Sequence, residues 1–176
     1  MKKVFLLLTA VSMLATGAAY AAPISDLNPG KVNIGYQHYD MNDSLKADSV
    51  YLEGAVSDKV ILGVERNGYA FSHANDKMTD IYAQYKLDQH LRLIVGNRNY
   101  EDGPNKMFAG IGGYANLGEK LDGYASVTGS SIATEWQAGL TYNMDGQTAL
   151  QLGFKSYKED YAPTRDGIGF GISHKF

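Results

Sequence analysis

The chain has no cysteine, four prolines and a single tryptophan, and none of its 176 residues falls in an apolar run long enough for a membrane-crossing helix. Without cysteine there is no disulfide scaffold and no thiolate metal site, so a chain of this size must hold its shape by packing and hydrogen bonding alone. A helical membrane protein is excluded because a span needs about 20 consecutive apolar residues. A basic surplus is also missing: the net charge is −3, which is a poor match to a phosphate backbone and argues against a nucleic-acid partner.

What the chain does have begins with Met1-Lys2-Lys3, an apolar stretch from Val4 to Ala15 broken by Thr9 and Ser12, and a small-residue end at Ala19-Tyr20-Ala21. This is the layout of a secretory signal peptide, with cleavage expected after Ala21. Loss of Lys2 and Lys3 takes the net charge to −5 and leaves about 155 residues, the size of one domain. The expected organisation is a signal peptide over 1–21, a short periplasmic lead-in over 22–30 carrying Pro23 and Pro29, and one domain over 31–176.

The end of that domain is the most informative stretch. Ile168, Phe170, Ile172, His174 and Phe176 alternate with Gly167, Gly169, Gly171, Ser173 and Lys175. Period-2 alternation is a strand signal. A face of Ile and Phe opposite a face of glycine suits a barrel with lipid outside it. The same alternation recurs over 31–39, 48–57, 60–67, 78–87, 91–98, 107–117, 121–128, 135–142 and 150–155. Short turns centred near Asp58, Gln89, Glu119 and Asp145 alternate with connections that read as longer and more polar. The pattern predicts an all-β chain, a transmembrane antiparallel up-and-down β-barrel of ten strands; eight is the alternative count if one hairpin belongs to a loop. Outward Tyr85, Tyr142 and Phe176 near the turns, and Tyr36, Trp136 and Phe154 near the loops, form the two expected aromatic belts.

The start, the alternating strands, the rhythm of turns and loops and the closing Gly-Phe-Gly-Ile-Ser-His-Lys-Phe together resemble the small outer-membrane β-barrel proteins of Gram-negative-type bacteria. The resemblance implies export through the inner membrane by a cleaved signal peptide. It also implies residence in the outer membrane beside lipid and lipopolysaccharide, and assembly by machinery that reads Phe170, Ile172 and Phe176 as a C-terminal signal. No cofactor is implied. No peptidoglycan-binding domain is expected after the barrel, so the tethering role of larger members of that class is not.

The inward face then carries Glu53, Glu65, Asp80, Asp122 and Glu135 with Lys86, Arg92, Arg98, Lys155 and Lys175. Buried charges persist when paired and hydrogen-bonded, so a network holding the strands is expected, with a polar path for small solutes as the functional alternative. Ten strands lie near the size at which side chains fill the interior. Gly35, Gly153, Gly167, Gly169 and Gly171 would form a bare wall where the last strands meet the first, against which Tyr51, Tyr82, Phe108, Tyr114 and Tyr124 could lean.

Catalytic readings are weaker. Ser72, His73, Asp76 and Asp80 lie within nine positions of a polar loop, a composition more typical of a solvated loop than of a nucleophile and its base. His38, His90 and His174 share no metal-ligand spacing. A calcium loop starting at Asp40 fails because position six is Leu45 and position twelve is Tyr51. The expected function is therefore non-enzymatic: a structural or narrow porin-like barrel passing small solutes or ions. The alternative is a surface interaction or adhesion protein acting through outer loops with Tyr69, Phe71 and Tyr161. A periplasmic lipocalin-like carrier would need its apolar residues inside.

Overall fold

The structure, a computed structural model, describes residues 18–19, 24–70, 75–160 and 162–176. The expected signal peptide lies almost wholly outside the described residues; Ala18 and Ala19 bridge to Ser130 and Gly129. Ten strands follow: β1 Val32–Met41, β2 Lys46–Ala55, β3 Val60–Ala70, β4 Asn75–Lys86, β5 Leu91–Tyr100, β6 Lys106–Asn116, β7 Leu121–Ser130, β8 Ala133–Asn143, β9 Thr148–Glu159 and β10 Arg165–Lys175. Each pairs antiparallel with its sequence neighbours, and β10 pairs with β1 from Gly167↔Met41 to Lys175↔Asn33. The ring is closed, which removes the unpaired edges that an open sheet would present to lipid.

The alternation sets the two faces. On β10, Ile168 and Phe170 are 66% and 63% exposed while Gly167, Gly169, Gly171 and Ser173 are buried. The same division runs through β1, where Val32, Ile34 and Tyr36 face out and Asn33, Gly35 and Gln37 face in. Val50, Leu52, Leu62, Val64, Ile81, Leu93, Val95, Leu140, Leu150 and Leu152 continue the outer face around the barrel. An apolar outside over a polar inside inverts a soluble protein and matches a membrane-spanning barrel.

The connections differ from the sequence expectation. On the turn side they are four residues each, over 56–59, 87–90, 117–120 and 144–147; on the other side they are no longer in kind, at 42–45, 71–74, 101–105, 131–132 and 160–164. Polar ends read as loops are strand. Inward alternation continues there through Met41 on β1, Tyr69 on β3 and Tyr157 on β9. The stretch 40–47 shrinks to a 3-10 turn, Asn42–Ser44, with Asp43 at φ 56° and Ser44 at φ 60°. Short polar side chains such as Asp tolerate that left-handed region.

The turns are fixed by side chains. Asp88 Oδ1 accepts from the backbone N–H groups of His90 (2.6 Å) and Leu91 (2.8 Å), and Asp145 Oδ1 from those of Gln147 (3.0 Å) and Thr148 (2.6 Å). These donors favour the ionised form and hold both carboxyls below the usual carboxylate range. Their contribution to the turns is present above the ordinary aspartate pKa and lost as pH falls through the lowered one.

Candidate functional site: the filled lumen

The inward side chains stack in layers from the turn end to the loop end. At the turn end lies the segment expected only to lead into the first strand. Ile24 and Leu27 are buried, and Leu27 packs with Ala55 and Ile61. Lys86 Nζ donates to Asp26 Oδ1 (3.1 Å) and to the Leu27 carbonyl (2.7 Å). Arg92 donates to the Ser25 carbonyl (2.5 Å), Gln84 Oε1 (3.0 Å) and Asp26 Oδ1 (3.2 Å). Asp122 accepts from Asn116 Nδ2 (3.1 Å) and Asn143 Nδ2 (2.7 Å). A cleft of about 20 Å³, room for roughly one water, is bordered here by Asn33, Asp122, Gln151 and Lys175.

Glu53 is the hub of the next layer. It accepts from Ser25 Oγ, from Tyr82 Oη (3.1 Å) and from Gln84 Nε2 (2.8 Å). Above it come Tyr51, Tyr39 and Tyr124 with Gln37 and Gln151; Gln151 Nε2 donates to Tyr51 Oη (3.0 Å) and Gln37 Nε2 to Gln151 Oε1 (2.9 Å).

A brace of ions crosses the lumen nearer the loop end. Arg98 on β5 makes a two-pronged contact with Asp80 on β4, one prong at 2.5 Å from Nε, and lies 3.7 Å from Glu135 on β8. Lys155 on β9 reaches Glu135 at 3.1 Å and donates to Asn67 on β3 (3.3 Å). Ser49 Oγ donates to Glu65 at 2.5 Å. Arg98 and Glu135 are 0% exposed and Lys155 1%. Beyond them the Tyr69 and Tyr157 rings stack at 5.5 Å.

The expected lumen charges thus fall into two clusters. Asp80, Arg98, Glu135 and Lys155 pair with one another, with Glu65 on Ser49 beside them. Lys86 and Arg92 turn to Asp26, Glu53 is satisfied by neutral donors, and Asp122 sits between two asparagines. The amide contacts that complete these pairs depend on register between strands and were not expected from the sequence, nor was the inward placing of Tyr69 and Tyr157. Inward alternation past the apolar belt was the signal that could have found the tyrosines. Ser72, His73, Phe71 and Tyr161 lie outside the described residues, and Asp80 is committed to Arg98.

Glycine is covered rather than bare. Tyr51 lies over Gly35, Tyr82 over Gly63, Phe108 over Gly96, Tyr124 over Gly139 and Tyr39 over Gly169. Each ring comes from the residue directly opposite on the adjacent strand. Gly153 faces the hydroxyls of Tyr39 and Tyr124, Gly171 faces Gln37, and Gly167 faces Met41. A missing Cβ lets a ring lie flat along the wall, so the rings fill the interior from beside each glycine.

On the outside, the belt gives way to polar residues toward the loop end of β1 to β4. Tyr36 Oη donates to Asp48 Oδ1 (2.5 Å), His38 Nδ1 lies 2.8 Å from the same oxygen, and Arg66 donates to Thr79 (2.8 Å). Phe170, Ile172 and Phe176 are exposed on the lipid face.

No family model matches the chain, and no curated protein does either. Among solved structures, the KdgM porin in complex with disordered oligogalacturonate is similar over 82% of this chain and 99% of its own, with TM-score 0.50 and 11% identity. The chain has the fold of the small outer-membrane β-barrels. The N-terminal β-barrel domain of Pseudomonas aeruginosa OprF is similar over 85% of this chain and 100% of its own (TM-score 0.48, 14% identity). Ail of Yersinia pestis is similar over 84% and 99% (TM-score 0.39, 13% identity). At 11% identity the likeness to the KdgM porin carries the fold and nothing finer.

Proposed function

We propose that this chain is an integral outer-membrane barrel with a structural, solute-tight role. The observation that carries the reading is the closed cross-section: the ion brace and the tyrosine layer each span the interior with side chains that solvent does not reach. The apolar outer face supports residence in a bilayer, and the turns would face the periplasm, as in bacterial barrels of this type. Lipid would cover the belt and lipopolysaccharide the loop rim, where outward Arg66 and Lys77 stand near Glu101. Phe170, Ile172 and Phe176 would be the signal read by the assembly machinery. Connections of two to five residues on the loop side leave little surface for an adhesin.

Liposome swelling tests this. Vesicles carrying the barrel are expected to stay as tight to glycine and arabinose as protein-free vesicles. Swelling that scales with the amount of barrel and falls with solute size would instead establish porin-like passage.

A further inference from the structure

Residues 24–27 are additional to the fold they occupy. Ten ladders close the barrel without them, and the segment is held by side chains of the lumen. It reads as a ligand would, with four successive contacts. Ile24 enters a space that exists because residue 112 is glycine: a Cβ there would stand 2.0 Å from Ile24 Cδ1, and Ile94 borders the same space. Ser25 donates to Glu53 on β2, accepts from Asn33 Nδ2 on β1 (3.0 Å), and offers its carbonyl to Arg92 on β5. Asp26 takes Lys86 and Arg92 together. Leu27 fills the apolar pocket of Ala55 and Ile61, its carbonyl capped by Lys86.

We propose that the turn-side lumen is a peptide-binding vestibule, occupied in cis by residues 24–27 as a tethered ligand. It takes extended peptide segments that place a hydroxyl and a carboxylate between two apolar side chains. This goes beyond the solute-tight reading, because the vestibule lies on the turn side of the tyrosine layer and the ion brace. Release of the segment opens a pocket and leaves those seals in place. Asp26 is the point of leverage: its side chain is half exposed at the mouth, and it is the group that the two turn-end cations, Lys86 and Arg92, both hold.

The absence of cysteine makes the test direct. In the refolded barrel, Ile24→Cys is expected to react with a bulky water-soluble maleimide at least tenfold more slowly than Asp58→Cys in the adjacent turn. Adding Asp26→Lys, which sets a third cation against Lys86 and Arg92, should speed labelling at least tenfold. A fluorescent peptide, acetyl-Ile-Ser-Asp-Leu-Asn-amide, should bind saturably to Asp26→Lys and to a barrel lacking residues 24–28. Binding to the unaltered barrel should be at least tenfold weaker, as should binding of a peptide with Lys in place of Asp. Labelling of the Ile24→Cys barrel as fast as the Asp58→Cys barrel overturns the proposal. So does the lack of saturable binding to a folded released variant, or equal binding to the unaltered barrel. If the deletion does not fold and Asp26→Lys leaves labelling slow, the segment is fixed core, and the proposal also fails.

Discussion

Replacing Arg98 with alanine is expected to cost about 3–5 kcal/mol of folding stability, the range for breaking a buried ion pair from one side. The guanidinium is 0% exposed, holds Asp80 at two points, and faces Glu135 on β8 across the lumen. Its removal leaves the Asp80 carboxylate without its cation, in a space where water does not replace it. Urea titration of the barrel in lipid vesicles, followed by tryptophan fluorescence from Trp136, measures the loss. Arg98→Met combined with Asp80→Leu is expected to recover most of it, because removing both charges leaves neither unpaired while similar volume still fills the layer. A double variant as unstable as Arg98→Ala would mean that the brace contributes more than charge compensation.

Gly169→Val is expected to prevent the closed barrel from forming, whereas Gly35→Ala should cost about 1–3 kcal/mol, in the range of an overpacked core. The difference lies in what a new Cβ would meet. At Gly35 the three nearest atoms all belong to the Tyr51 ring, so a second change, Tyr51→Leu, makes room and should restore much of the stability. At Gly169 the nearest atom is the backbone carbonyl oxygen of His38, 2.2 Å away, with the Tyr39 ring next at 2.5 Å. That carbonyl belongs to β1 at the seam that closes the ring. Tyr39→Ala removes the ring but not the backbone, so it should not rescue Gly169→Val. The shift between folded and unfolded bands on unboiled and boiled gels reads both cases.

These particulars also show what the sequence made legible. Ten strands and their two faces could be read because alternation is local: Ile168, Phe170 and Ile172 report their own direction without knowledge of any neighbour. The strand ends could not, since Met41, Tyr69 and Tyr157 alternate inward among polar residues that look like loop. Pairing was hidden for a different reason. Whether Arg98 meets Asp80 or Glu135, and which ring covers Gly169, depends on register between strands, and register is set by closure of the whole ring. Residues 24–27 were illegible in a third way. A coil between Pro23 and Pro29 has no periodicity, and its place in the lumen is dictated by Glu53, Lys86 and Arg92, which lie 26 to 68 positions further on.

The closed lumen is the central claim, and single-channel recording in planar bilayers tests it most directly. Barrels purified in the folded, heat-modifiable form and inserted from dilute detergent are predicted to give no stepwise current in 1 M KCl at either polarity. Steady, ohmic openings that recur with each insertion would contradict it, and would mean that ions pass the brace of Arg98, Asp80, Glu135 and Lys155.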